Sequence, residues 1–133
     1  MNSKKTIIVL IHAFIVWVLC AAVMGIGRAV TTQQNAFIIH AIAAPLVSAL
    51  VSLNYFRKFN FTSPLQTALI FVLVPAILDL LIVSLLILRS LDMFTSPASL
   101  FGTWIPLTLI FLASFLTGLA VTHRRLEKRP ATN

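Results

Sequence analysis

The chain contains very few acidic residues and a single cysteine. Of its 133 residues, 3 are Asp or Glu against 10 Lys or Arg; only 10% are charged and 59% are hydrophobic. Soluble domains carry about 25% charged and about 45–50% apolar residues, so this composition excludes an ordinary soluble fold. The one thiol, Cys20, excludes an internal disulfide or a CxxC redox pair within the chain.

Motifs for metal binding and catalysis are scarce as well. The sequence has three histidines but no HExxH, no CxxC and no carboxylate cluster. His12 and His40 fall at depths that differ by about 15 Å along their helices, so we do not expect them to share an ion or a haem iron. No triad spacing and no phosphate-binding glycine loop is visible. We therefore expect no cofactor and no metal, and the sequence favours a non-enzymatic protein without deciding against an enzyme.

What the chain does contain is four long apolar segments, at about residues 6–26, 36–56, 64–88 and 100–122. Each provides the roughly 20 apolar residues that a helix needs to cross a bilayer. The segments are apolar on every side, which indicates helices, because a membrane barrel requires alternating polarity. The sequence predicts one all-α domain over residues 1–133: a polytopic membrane protein with an antiparallel bundle of four transmembrane helices and a basic tail at 123–133.

Residues typical of helix starts mark two of the boundaries. Thr31 and Gln34 fit a capping box before the second helix, and Ser63 and Gln66 fit one before the third, where a proline follows the cap. The aromatic residues around the second loop are expected at the membrane interface. These are Tyr55, Phe56, Phe59 and Phe61.

Basic residues are distributed unevenly around the segments. Only Arg28 and Arg89 lie in the first and third loops, and the other eight lie at the termini or in the second loop. Because cytoplasmic loops carry an excess of Lys and Arg, we predict a cell (inner) membrane location with both termini cytoplasmic. The basic ends are expected to contact anionic lipid headgroups, and no pattern indicates nucleic-acid binding. The eight are Lys4, Lys5, Arg57, Lys58, Arg124, Arg125, Lys128 and Arg129.

Asp79 is the only acidic residue inside an apolar segment. A carboxylate at membrane depth is unfavourable unless it is paired, protonated or in contact with water. His40 lies about 9 Å outside the midpoint of its segment and Asp79 about 4–5 Å outside its own. These depths are similar and the two segments are consecutive, so we predict that His40 and Asp79 pair. The pair would either join two helices or handle protons or ions. Arg28 or Arg89 folding inward are alternative partners, and Pro75, one turn before Asp79, predicts a kink beside it.

Three further polar residues lie toward the predicted cytoplasmic end. His12 lies about 6 Å inside the midpoint of the first segment, and Asn54 and Gln66 lie near the inner ends of the second and third. They either form the mouth of a polar path or act locally. In the second case Gln66 caps its helix, Asn54 is interfacial and His12 bonds a neighbour.

Small residues recur every four positions on three segments, a pattern that lets helices approach closely. These stripes either close the bundle, form a homo-oligomer or dock onto a larger membrane complex. They are Ala21 and Gly25 on the first segment, Ala44, Ser48 and Ser52 on the second, and Ser114, Gly118 and Thr122 on the fourth.

The stretches IHAIAAP (residues 39–45), SPLQTA (63–68) and GTWIP (102–106) resemble those of small uncharacterised prokaryotic four-helix membrane proteins. This resemblance implies no activity and no site. The small four-helix multidrug transporters carry a glutamate in the first span, where this chain offers only His12. We predict a multi-pass membrane protein that acts as a non-enzymatic accessory, regulatory or scaffold subunit. The alternative is a minimal proton- or ion-coupled transporter or channel that uses Asp79 and His40.

Overall fold

Helices account for every regular element of the computed structural model, which describes residues 2–128. Two π-helical segments continue or precede longer α-helices, so the described chain has four long helices and one short one. The elements in chain order are α1 (Ser3–Val30), α2 (Gln33–Lys58), α3 (Pro64–Leu78), a π-helix (Asp79–Leu88), α4 (Asp92–Thr95), a second π-helix (Leu100–Trp104) and α5 (Ile105–Glu127).

Each of the four long helices is long and apolar enough to cross a membrane, which agrees with the four predicted segments. The third helix has the predicted bounds, Pro64–Leu88. The other three are longer than the apolar runs, because the Lys, Arg and Gln residues at their ends are themselves good helix formers. Residues 123–127 of the predicted tail are therefore helical, as part of α5. Arg129 and the rest of the tail lie outside the described residues.

The start of α2 differs by one residue from the predicted cap. Thr32 is the N-cap, and its hydroxyl accepts a hydrogen bond from the Asn35 backbone N–H at 3.3 Å. The Thr31 hydroxyl accepts instead from the side-chain amide of Asn35 at 3.1 Å. The predicted box from Thr31 to Gln34 is therefore wrong, because the backbone enters the helix one residue later.

The third long helix begins as predicted and then changes its hydrogen-bonding pattern. The Gln66 N–H donates to Ser63 Oγ at 3.2 Å and the Ser63 N–H donates to Gln66 Oε1 at 3.1 Å, which confirms the capping box. From Asp79 onward the helix is a π-helix of 10 residues. Pro75 lies one turn earlier and has no N–H to donate, so it interrupts the α-helical ladder. The structure shows a change of helix type at Asp79, and the kink expected from Pro75 stays a prediction.

The four long helices pack around a ring in the order α1, α2, α5, α3. α1 packs against both α2 and α3, and α5 packs against the same two helices. α2 and α3 are therefore diagonal to each other, although only residues 59–63 separate them in the chain. This order determines which polar side chains can meet.

The interior combines small residues with a few aromatic ones, among them Ala13, Val16 and Phe71. Tyr55 and Phe56 are fully buried within the bundle. Their predicted place at the membrane interface is wrong, because they continue the face of α2 that packs against other helices. The outer surface, by contrast, carries exposed Leu, Ile, Val and Phe side chains along all four long helices.

The small-residue stripes divide into an inner and an outer group. A Cβ on Gly118 would lie 2.8 Å from the ring of Phe56 and 2.8 Å from Pro64, so α5 approaches its neighbours closely there. Ala21 and Gly25 instead lie exposed on α1, and nothing lies within 4 Å of a Cβ at Gly25. The stripes on α2 and α5 thus close the bundle. Their buried members are Ala44, Ser48, Ser52, Ser114 and Gly118.

Candidate functional site

Asp79 joins the third long helix to the first. It is half-buried where α3 changes into the π-helix, and its Oδ1 accepts a hydrogen bond from the indole N–H of Trp17 at 2.8 Å. Phe14, one turn earlier on α1, packs its ring 5.7 Å from the Trp17 ring. A partly buried indole N–H needs an acceptor. The contact therefore satisfies one carboxylate oxygen and the only polar atom of Trp17 at once.

The predicted hydrogen bond between His40 and Asp79 is not formed. Both ring nitrogens of His40 are buried and have no hydrogen-bond partner. The physical reason is the order of the helices: α2 and α3 are diagonal, so the similar depth expected for the two residues does not bring their side chains together. His40 lies instead four residues from Ala36 and Ala44, two fully buried residues on the packed face of α2.

The alternative basic partners do not meet Asp79 either. Among the residues that the structure describes, the one contact within 4 Å between a basic and an acidic side chain joins His123 and Glu127, four residues apart at the exposed end of α5, at 3.4 Å. Arg28 and Arg89 form none. Trp17 is the hydrogen-bond partner of Asp79 instead, because α1 and α3 are neighbours. The charge of the side chains, on which the prediction rested, does not indicate Trp17.

His12 and Asn54, two of the three secondary candidates, are in contact. The Nδ1–H of His12 donates to the carbonyl of Ile8 at 2.7 Å, and its Nε2 lies 3.3 Å from the Asn54 amide nitrogen. A carbonyl can only accept, so this arrangement is satisfied by a neutral ring with its proton on Nδ1 and Nε2 accepting from Asn54. The ring also packs edge-on against Tyr55 and Phe59, at 5.3 and 5.4 Å. Gln66, the third candidate, is engaged in its capping box.

A chain of buried hydroxyl groups lies next to this contact. The hydroxyls of Tyr55 and Thr62 are 2.8 Å apart, and those of Thr62 and Thr67 are 2.7 Å apart. Thr67 donates its proton to the Ser63 carbonyl, and the Phe61 N–H donates to Tyr55. The donors must then run from Tyr55 to Thr62 to Thr67, because each hydroxyl has one proton. This network, which ties the loop between α2 and α3 to both helices, was not predicted; its only sequence signal is Tyr55 followed by two threonines.

A second group of polar side chains lies on the faces of α2 and α5 that pack within the bundle. Ser52 and Ser114 are fully buried, and their hydroxyls have no hydrogen-bond partner. Ser48 is also fully buried and donates to the carbonyl of Pro45 at 3.1 Å. His40, Ser48 and Ser52 recur at multiples of four residues along α2, and Ser114 lies on α5, which packs against α2. We call these four residues the polar strip; none of them is hydrogen-bonded to Asp79. The structure therefore divides the polar groups between two places rather than bringing an acid and a base together.

The described part of the chain brings together no group of three His, Cys, Asp or Glu side chains that would hold a metal ion. Comparisons of the chain with protein-family models, with curated proteins and with solved structures find no match. The order of the helices, the hydrogen bond of Asp79 and the unpartnered ring nitrogens of His40 are thus the observations that bear on function.

Proposed function

We propose that the protein is a multi-pass membrane protein that acts as a non-enzymatic accessory, regulatory or scaffold subunit. The observation that carries this proposal is the hydrogen bond between Trp17 and Asp79. The one carboxylate within the apolar part of the bundle is engaged in a contact between helices. Interhelical polar contacts of this kind stabilise membrane bundles by about 0.6–2 kcal/mol each.

The exposed surface supports insertion into a membrane. Leu50 and Leu86 are 68% and 71% exposed, and large apolar side chains are exposed along every long helix. Continuous apolar surface of this extent is unusual on a soluble monomer and is the surface that lipid tails cover. The four helices have the length that crossing requires.

The contacts between helices support an antiparallel order with both termini on one side. His12, early in α1, meets Asn54, late in α2. Gly118, late in α5, lies against Phe56 at the end of α2 and Pro64 at the start of α3. One end of the bundle therefore carries the predicted excess of basic residues, and we assign that end to the cytoplasmic side of a cell (inner) membrane.

The separation of Asp79 from His40 favours a subunit over a transporter. Proton transfer between side chains needs heavy atoms about 2.6–3.2 Å apart, directly or through one water. Asp79 is held by Trp17 on α1, whereas His40 lies on α2, diagonal to the helix that carries Asp79.

Flux measurements in liposomes test this proposal. Wild type and Asp79→Asn would be reconstituted alone and proton entry followed with an enclosed pH-sensitive dye, with empty liposomes as the control. We expect both proteins to match empty liposomes, and we expect crosslinking in native membranes to capture the same stoichiometric partner with either variant. Proton flux by wild type that Asp79→Asn abolishes would overturn the proposal.

A second candidate is a minimal proton- or ion-coupled transporter or channel. It is favoured by three residues of the polar strip: His40, Ser52 and Ser114. Their buried polar atoms without partners are unusual, and in membrane proteins such groups often mark ion paths. In this case flux would depend on His40 and not on Asp79. The same liposome assay with His40→Ala tests this second candidate. If the strip conducts protons or ions, His40→Ala loses the flux and Asp79→Asn keeps it.

A further inference from the structure

A groove of about 490 Å³ opens between the first turns of α1 and α3. One end is polar and the other is apolar, so its surface is matched to an amphipathic ligand. Its lining residues are Lys5, Phe61, Thr62, Gln66, Leu69 and Ile70.

Lys5 supplies an uncompensated positive charge at the polar end. Its Nζ lies 5.3 Å from the centroid of the Phe61 ring, a cation–π contact that holds the ammonium group at the groove. The chain has only three acidic residues, and none of them lines this groove. The ammonium group is therefore free to bind an anion.

Gln66 adds a hydrogen-bond donor beside Lys5. Its Oε1 is occupied by the Ser63 N–H, which leaves the side-chain NH₂ without a partner within residues 2–128. The amides at the start of α3 do not form the anion site by themselves, because the capping box already occupies those of Ser63 and Gln66. The site consists of side chains on two helices.

Leu69 and Ile70 form the apolar end of the groove. Leu69 is 45% exposed, and Leu73, one turn further along α3 and beyond the groove, is 55% exposed. The apolar surface thus continues from the groove along α3 toward the middle of the bundle. An acyl chain fits such a surface, whereas a free phosphate ion would leave it uncovered.

We propose that this groove binds one anionic phospholipid, with its phosphate at Lys5 and Gln66 and an acyl chain along Leu69 and Ile70. The inference rests on the proposed membrane location and orientation, because it requires the Lys5 end to lie at headgroup level. It extends that proposal from general attraction between basic residues and lipid to one site with a defined lining. A lipid bound there would cover the open side of the contact between α1 and α3.

Native mass spectrometry of the full chain in detergent tests the charged end. Phosphatidylglycerol and phosphatidylcholine with identical acyl chains would be titrated separately. We expect wild type to retain one phosphatidylglycerol in preference, Lys5→Gln to bind it about five-fold more weakly, as the loss of one basic contact predicts, and Lys5→Arg to restore binding. Lys4→Gln is the matched control: it removes the same charge from a residue that does not line the groove, and we expect a clearly smaller loss of binding than for Lys5→Gln.

Two leucine variants test the apolar end. Leu69→Trp fills the groove and should lower phosphatidylglycerol retention, whereas Leu73→Trp adds the same bulk one turn beyond it and should not. Equal effects of Lys4→Gln and Lys5→Gln, or equal retention of the two lipids by wild type, would overturn the assignment. Failure of the proposed membrane location gives a different result from failure of the lipid site. In that case wild type would stay in solution without detergent, which is observed before any variant is compared.

Discussion

The indole N–H of Trp17 donates to the carboxylate of Asp79 at 2.8 Å, across 62 residues of chain. This bond joins α1 to α3, two helices that are not consecutive in the sequence. It also explains how the only acid within an apolar segment is accommodated without a basic partner. Asp79 therefore makes a contact between two helices, which is the role that the proposed function gives it.

The close approach of α5 at Gly118 predicts a strong effect of a small substitution. Gly118→Ala places a Cβ 2.8 Å from Phe56 and Pro64, and such overpacking lowers the free energy of unfolding by about 1–3 kcal/mol. Gly25→Ala is the control, because nothing lies within 4 Å of its Cβ; alanine there should leave stability unchanged or raise it by up to about 1 kcal/mol. Unfolding of both variants in the same detergent checks this, and equal effects would contradict the packing.

Removing a hydroxyl from the hydroxyl chain at the loop between α2 and α3 should cost stability, whereas removing a buried hydroxyl without a partner should not. Tyr55→Phe removes the acceptor of the Phe61 N–H and the donor to Thr62. We expect it to lower the free energy of unfolding by about 1–3 kcal/mol, because buried partners lose their bonds. Ser114→Ala removes a buried hydroxyl that has no partner, so stability should be unchanged or higher. Denaturation of each variant measures the difference, and an Ser114→Ala loss as large as that of Tyr55→Phe would refute it.

The proposed orientation predicts which ends a membrane-impermeant thiol reagent reaches. In a Cys20→Ala background, Ala98→Cys, in the segment before the fourth long helix, should be labelled from outside intact cells. Ser3→Cys, at the start of α1, should be labelled only after permeabilisation, because the basic ends are retained in the cytoplasm. The opposite pattern would reverse the orientation, and labelling of both in intact cells would argue against an antiparallel bundle.

The number, type and approximate extent of the long helices could be predicted, because a run of about 20 apolar residues leaves few alternatives. The cap at Ser63 was also correct, since that motif is local in the sequence. The π-helix after Asp79 was not predicted in form: proline indicates where a helix is disturbed but not which hydrogen-bonding pattern replaces it. Tyr55 was misplaced because aromatic residues near a helix end occur both at interfaces and between helices.

The partner of Asp79 could not be predicted for a different reason. The helices are apolar on nearly every side, so the sequence does not show which faces meet or in what order the helices pack. Depth alone suggested a pair of Asp79 and His40, but the ring order puts α1, and not α2, beside the helix that carries Asp79. By contrast, His12 and Asn54 do meet, because α1 and α2 are neighbours as well as consecutive.

A double-mutant cycle of Trp17 and Asp79 tests the central claim most directly. Wild type, Trp17→Phe, Asp79→Leu and the double variant would be unfolded in one detergent at neutral pH. If Asp79 is a contact between helices, the sum of the two single losses exceeds the loss in the double variant by a coupling energy of about 0.6–2 kcal/mol. A coupling energy near zero, with Asp79→Leu more stable than wild type, would show that the carboxylate is retained for another purpose, and the account of Asp79 as a structural contact would be wrong.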